Sequence, residues 1–93
     1  MDGATTEIII VRTVETCSAC PSQWDAWDSS GQYWYLRYRH GIGSAERQPR
    51  PDVETWTMRE PDIEFDGQVN GMADGVISLE DFARLAGITL GQP

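Results

Sequence analysis

The chain has 93 residues, 40% hydrophobic and 24% charged, with nine aromatics: four Trp, three Tyr and two Phe. That is one domain's worth of globular protein, too short for two cores and too apolar for a disordered tail. A net charge of −8 argues against binding to nucleic acid through phosphate contacts, and the longest apolar run, Ile8-Ile9-Ile10-Val11, is far below the ~18 residues of a membrane helix.

Residues 1–6 are polar and expected to fray, leaving a single domain over residues 7–90. The N-terminus has no charged leader or apolar signal region, so the expected location is cytoplasmic. Glu7 to Glu15 is a β-branched run, with Ile9, Val11 and Thr13 on one face and Ile8, Ile10, Arg12 and Val14 on the other. Both faces are apolar near its start, which predicts a strand inside a sheet. Thr16 to Ser22 reads as a loop. Gln23 to Asp28 and Gln32 to His40 then flank Ser29-Ser30-Gly31, the pattern of a β-hairpin with a three-residue turn. Its register sets Trp24 opposite Leu36, Asp25 opposite Tyr35, Ala26 opposite Trp34 and Trp27 opposite Tyr33.

Alternation along the strands divides the hairpin into two faces. Trp24, Ala26, Trp34, Leu36 and Tyr38 form the natural core face. Asp25, Trp27, Tyr33, Tyr35, Arg37 and Arg39 form the other, whose mixture of aromatics and arginine is enriched at interface hot spots. Asp25 near Arg37 suggests a cross-strand ion pair. Ser44 to Asp52, with Arg47, Pro49, Arg50 and Pro51, reads as an exposed loop, and Val53 to Met58 as a strand. Ile63-Glu64-Phe65 and Gln68-Val69 flank Asp66-Gly67, a two-residue hairpin signal. Ser78-Leu79-Glu80-Asp81 resembles a capping box, Leu79, Phe82, Leu85 and Ala86 make an apolar stripe, and Gly87 stands where a C-cap belongs. The expected fold class is α+β, a small antiparallel sheet of about four or five strands with the aromatic hairpin and one short C-terminal helix.

Charge is uneven along the chain. Residues 1–51 carry six acids and five arginines, a net of −1, whereas residues 52–93 carry nine acids and two arginines, a net of −7. An acidic half of this kind serves solubility or faces a basic partner.

Two motifs suggest metals. Cys17-Ser18-Ala19-Cys20 has the spacing of half a tetrahedral zinc site, but the chain holds no other cysteine and only His40 as a histidine. Zinc, a dithiol or disulfide, and plain thiols all remain open for Cys17 and Cys20. Asn70 to Asp81 resembles an EF-hand or dockerin-type calcium loop, with Asp74, Gly75 and Ile77 in fitting positions. Asn70 replaces the first acid and Met72 offers no oxygen, and the overlapping window that starts at Asp62 ends on Ala73. A turn feeding a capped helix accounts for the same residues. No nucleophile elbow, phosphate-cradling glycine loop or H-E-x-x-H occurs, so no enzyme is expected.

The stretches Cys17-x-x-Cys20-Pro21-Ser22-Gln23-Trp24-x-Ala26-Trp27 and Gly31-Gln32-Tyr33-x-Tyr35-Leu36-Arg37-Tyr38-Arg39-x-Gly41-x-Gly43 resemble small uncharacterised proteins of actinobacteria and their phages. So does the tail from Asp74 to Ile88. The resemblance implies no activity and transfers no site residue. The leading expectation is a non-enzymatic protein–protein interaction module, a phage or mobile-element accessory factor, binding through Trp27, Tyr33, Tyr35, Arg37 and Arg39. Two alternatives are a small zinc-binding domain built on Cys17 and Cys20, and an acidic decoy that occupies a nucleic-acid-binding site.

Overall fold

The computed structural model describes residues 7–17, 22–58, 60–67 and 76–91. Six strands form one sheet: β1 (Ile9–Cys17), β2 (Ser22–Asp28), β3 (Tyr33–Arg39), β4 (Ile42–Gln48), β5 (Ile63–Asp66) and β6 (Thr89–Leu90), in the order β5-β4-β3-β2-β1-β6. The first five make an antiparallel meander. β6 joins β1 in parallel after the single helix α1 (Leu79–Ala86), and the sheet curls into a half-barrel around that helix.

The expected fold class is therefore corrected. The molecule is mostly sheet, with six strands rather than four or five, and the sheet is mixed rather than purely antiparallel. Segment 44–52, read as loop, supplies most of β4. Its disguise is its small residues: Ala45 is fully buried, and a Cβ on Gly43 would collide with the Phe65 ring of β5. Glycine weakens a strand in isolation, but here it admits an aromatic ring from the neighbouring strand. Segment 53–58, read as strand, is instead a 3₁₀ turn at Val53–Thr55 followed by irregular chain. Asp52 caps the turn, accepting from the Glu54 N–H at 3.1 Å, a local bond that competes with strand formation.

The hairpin of β2 and β3 has the expected register at all four pairs from Trp24–Leu36 to Trp27–Tyr33. Asp28 organises its turn. One carboxylate oxygen accepts from the Ser30 and Gln32 amides and the Ser30 hydroxyl at 2.7–3.0 Å, and the other accepts from the Trp34 indole at 3.0 Å. Burial works against the charged form, but these hydrogen bonds outweigh it and hold the Asp28 carboxyl below its ordinary value. Gly31 completes the turn at φ 89°, a left-handed conformation that side chains disfavour.

The inner face of the sheet carries the core. Trp24, Ala26, Trp34, Leu36 and Tyr38, the five residues expected there, are all buried. On them rests Phe82 of α1, edge-on to Trp24 at 5.6 Å and to Phe65 at 5.0 Å between ring centroids. The helix itself follows its capping signals. Ser78 Oγ accepts from the Asp81 N–H at 3.1 Å, Gly87 ends the helix in a left-handed conformation, and the Ile88 N–H donates back to Ala83. β6 then docks along β1 as the Thr89 N–H donates to Ile8 and the Gly91 N–H to Ile10. β1 is inside the sheet only at Ile9 and Ile10; Val11 and Val14, further along, are exposed. The expected second strand of the Asp66-Gly67 hairpin, and residues 1–6, lie outside the described residues.

Candidate functional site

Strand pairing sets the outer face of the sheet in rows. Trp27, Tyr33 and Gln48 form one row across β2, β3 and β4; Asp25, Tyr35 and Glu46 form the next; Gln23, Arg37, Ser44 and Glu64 form a third that reaches β5. Arg39 follows, opposite Ile42. The strand register brings all five residues singled out as a binding set onto this one face, but not with equal access.

A strap formed by residues 49–58 crosses the face and lays Trp56 over it. The Trp56 ring lies 4.7 Å from Tyr35 and 6.2 Å from Tyr33 between centroids, and its indole donates to the Arg50 carbonyl at 2.7 Å. Gln48 fastens the strap. Its amide nitrogen donates to the Thr57 carbonyl, its amide oxygen accepts from the Thr57 N–H, both at 3.0 Å, and it also donates to Glu46 at 2.7 Å. Gln48 is buried with these bonds made, as a buried amide requires.

Tyr33 is consequently sealed, at 1% exposure, between Trp56 and Trp27, the latter 5.6 Å away and itself covered by the Arg12 guanidinium at 4.5 Å. Tyr33 is thus removed from the expected contact surface. Its hydroxyl donates to Asp25 at 2.5 Å, so the Asp25–Arg37 ion pair expected from spacing is replaced by a tyrosine–carboxylate bond. Burial first, and the adjacent Asp25 second, push the Tyr33 phenol far above its ordinary value. Burial also raises Tyr35, against the opposing pull of the Arg37 guanidinium.

Trp27, Tyr35 and Arg37 are half-buried and Arg39 is exposed. Tyr35, Arg37 and Arg39 border two shallow clefts. The first, 460 Å³, lies between the Asp25–Tyr35–Glu46 row and the strap residues Pro51, Val53 and Trp56. The second, 500 Å³, has Ser44 and Ile42 on its floor, Arg37, Arg39 and His40 along one side, and Pro61 and Glu64 along the other. Arg37 borders both. Trp56 and Glu46 were missed by sequence reasoning. An isolated tryptophan between Pro51 and Pro61 was the available signal, because a strap needs an anchor.

The metal motifs gain no geometry. Cys17 ends β1 half-buried, and Cys20 lies outside the described residues. Of the calcium-like loop, residues 70–75 lie outside them too, while Ser78 caps α1 and Asp81 pairs with Arg84 at 3.1 Å. In the overlapping window Asp62 pairs with Arg47 at 2.8 Å, and Glu64 and Asp66 belong to β5. Among the described residues no three His, Cys, Asp or Glu side chains group closely enough to share a metal, and no helix is long and apolar enough to cross a membrane. Comparisons of the chain with protein-family models, curated proteins and solved structures find no match.

Proposed function

We propose that this chain is a non-enzymatic protein–protein interaction module, an accessory factor that docks a partner on the outer face of its sheet. The observation that carries the reading is the line of half-buried Tyr35 and Arg37 and exposed Arg39 on β3, continued by half-buried Trp56 on the strap. Aromatic and arginine side chains are grouped there on a rigid sheet beside two clefts. Strand positions hold these side chains more firmly than a loop would, so less rotamer entropy is lost on contact.

The test is capture of partners from an actinobacterial lysate by the immobilised full chain, with Tyr35→Ala and Arg37→Ala beside Glu80→Gln on the exposed side of α1. Loss of the same captured protein in both outer-face variants, with retention in Glu80→Gln, is expected. An unchanged set of partners in all three variants rejects the face.

A further inference from the structure

The charges on the outer face are not equivalent. Asp25 is engaged by the Tyr33 hydroxyl and Glu46 by the Gln48 amide, so each carboxylate already serves the sheet or its strap. Elsewhere, Arg12 lies on Trp27, Arg47 pairs with Asp62 over the Trp34 ring and Arg84 pairs with Asp81 on α1. Arg37 and Arg39 differ in standing side by side on one strand, whereas Arg50, the other arginine without an ion pair among the described residues, lies on the strap. Among the described residues neither makes an ion pair, although the chain carries 15 acids. Arg37 faces Tyr35, its guanidinium 6.0 Å from the ring centroid and acting on the Tyr35 hydroxyl by charge and hydrogen bonding, which leaves it without a carboxylate partner. Glu64, the acid nearest in register, stands two strands away from Arg37 with Ser44 between them.

These two guanidiniums alternate along β3 on one face, a pitch of about 6.6–6.8 Å at 3.3–3.4 Å per residue. An extended peptide has the same pitch between its own residues i and i+2. We infer that Arg37 and Arg39 hold an extended acidic segment of a protein partner, with Asp or Glu at i and i+2, and that Tyr35 with Trp56 takes an apolar residue two positions further along. Each guanidinium meets a carboxylate with two parallel N–H···O bonds, a match of shape that a lysine does not make. The cleft over Ser44 and Ile42, 500 Å³, gives the peptide backbone room between β3 and β5. The net charge of −8 opposes the approach of an acidic partner at long range, so selection takes place at contact. This assignment rests on the docking reading above and adds the chemistry of the partner.

The probe is a blocked, fluorescein-labelled peptide Leu-Thr-Glu-Thr-Glu, titrated by fluorescence anisotropy with the full chain, beside Leu-Thr-Gln-Thr-Gln and Leu-Thr-Lys-Thr-Lys. The Glu peptide is expected to bind at least about tenfold more tightly than either, and the double variant Arg37→Gln, Arg39→Gln is expected to lose that margin. Arg84→Gln, with unchanged circular dichroism as for the double variant, should bind like the parent. Equal binding of Glu and Gln peptides, preference for the Lys peptide, no binding of the Glu peptide up to about 1 mM, or insensitivity to the double variant overturns the inference. If lysate capture still depends on Tyr35 while the Glu peptide fails, the docking face stands and the acidic partner falls.

Discussion

The same two strands, β2 and β3, present an inner and an outer face, and the two are closed by different means. On the inner face α1 places Phe82 against Trp24 and Phe65, and every side chain in the contact is apolar. On the outer face a strap with a single 3₁₀ turn places Trp56 over Tyr33 and Tyr35, and its attachment runs through polar bonds of Gln48. A helix satisfies its own backbone and needs only an apolar stripe to seal a face. An irregular strap must find partners for its amides and carbonyls from side chains beneath it. It therefore covers part of the face, and Arg37 and Arg39 stay at the surface.

The contrast predicts a graded series of effects. The largest falls on the inner face: Phe82→Ala should destabilise the fold by about 3–5 kcal/mol, read as a shift of the urea midpoint. A loss below about 1 kcal/mol would mean that the helix does not close the core. Gly43→Val comes next, because the new side chain displaces the Phe65 ring and separates β4 from β5; about 1–3 kcal/mol is expected in the same measurement. Wild-type stability in this variant would show that the ring moves aside freely.

Trp56→Ala tests the outer face and should be milder, about 1–2 kcal/mol, since the indole is only half-buried. Its sharper readout is tyrosinate absorbance against pH. The folded Tyr33 phenol ionises well above the ordinary value of 10.0, so its share of stability is intact below that pH and is lost as pH rises beyond it. Stripping the ring away should bring the titration of Tyr33 and Tyr35 down toward 10, whereas an unchanged titration would deny Trp56 its covering role. The smallest effect belongs to the turn. Asp28→Asn should cost about 1 kcal/mol near neutral pH, through weaker acceptance from Ser30, Gln32 and Trp34. Because the folded carboxyl titrates below its unfolded value of 3.8, that contribution is present above this pH and fades as pH falls below it. The variant's stability should therefore converge on the parent's in acid, and a constant gap would assign the effect to something other than charge.

The hairpin shows how far local pattern reaches. Gly31, the Asp28 turn and strict alternation are enough to specify the pairing of Trp24 with Leu36 and the sorting of rings into two faces. The helix is equally local, since Ser78, Phe82 and Gly87 each carry their signal within one or two turns. The candidate site was only half legible. Tyr35, Arg37 and Arg39 stand where alternation put them, but Tyr33 lies under a tryptophan 23 positions later in the chain, and no local periodicity encodes that meeting.

Turns, caps and alternation were written in short stretches of residues, because each depends on backbone dihedrals and hydrogen bonds within a few positions. Long-range packing decided the remainder. β4 exists because Gly43 makes space for Phe65, β6 because the helix returns the chain to Ile8 and Ile10, and the strap because Gln48 holds Thr57. In all three cases a weak intrinsic preference gives way to contacts between segments far apart in sequence, where burial of rings and satisfaction of backbone groups outweigh local propensity.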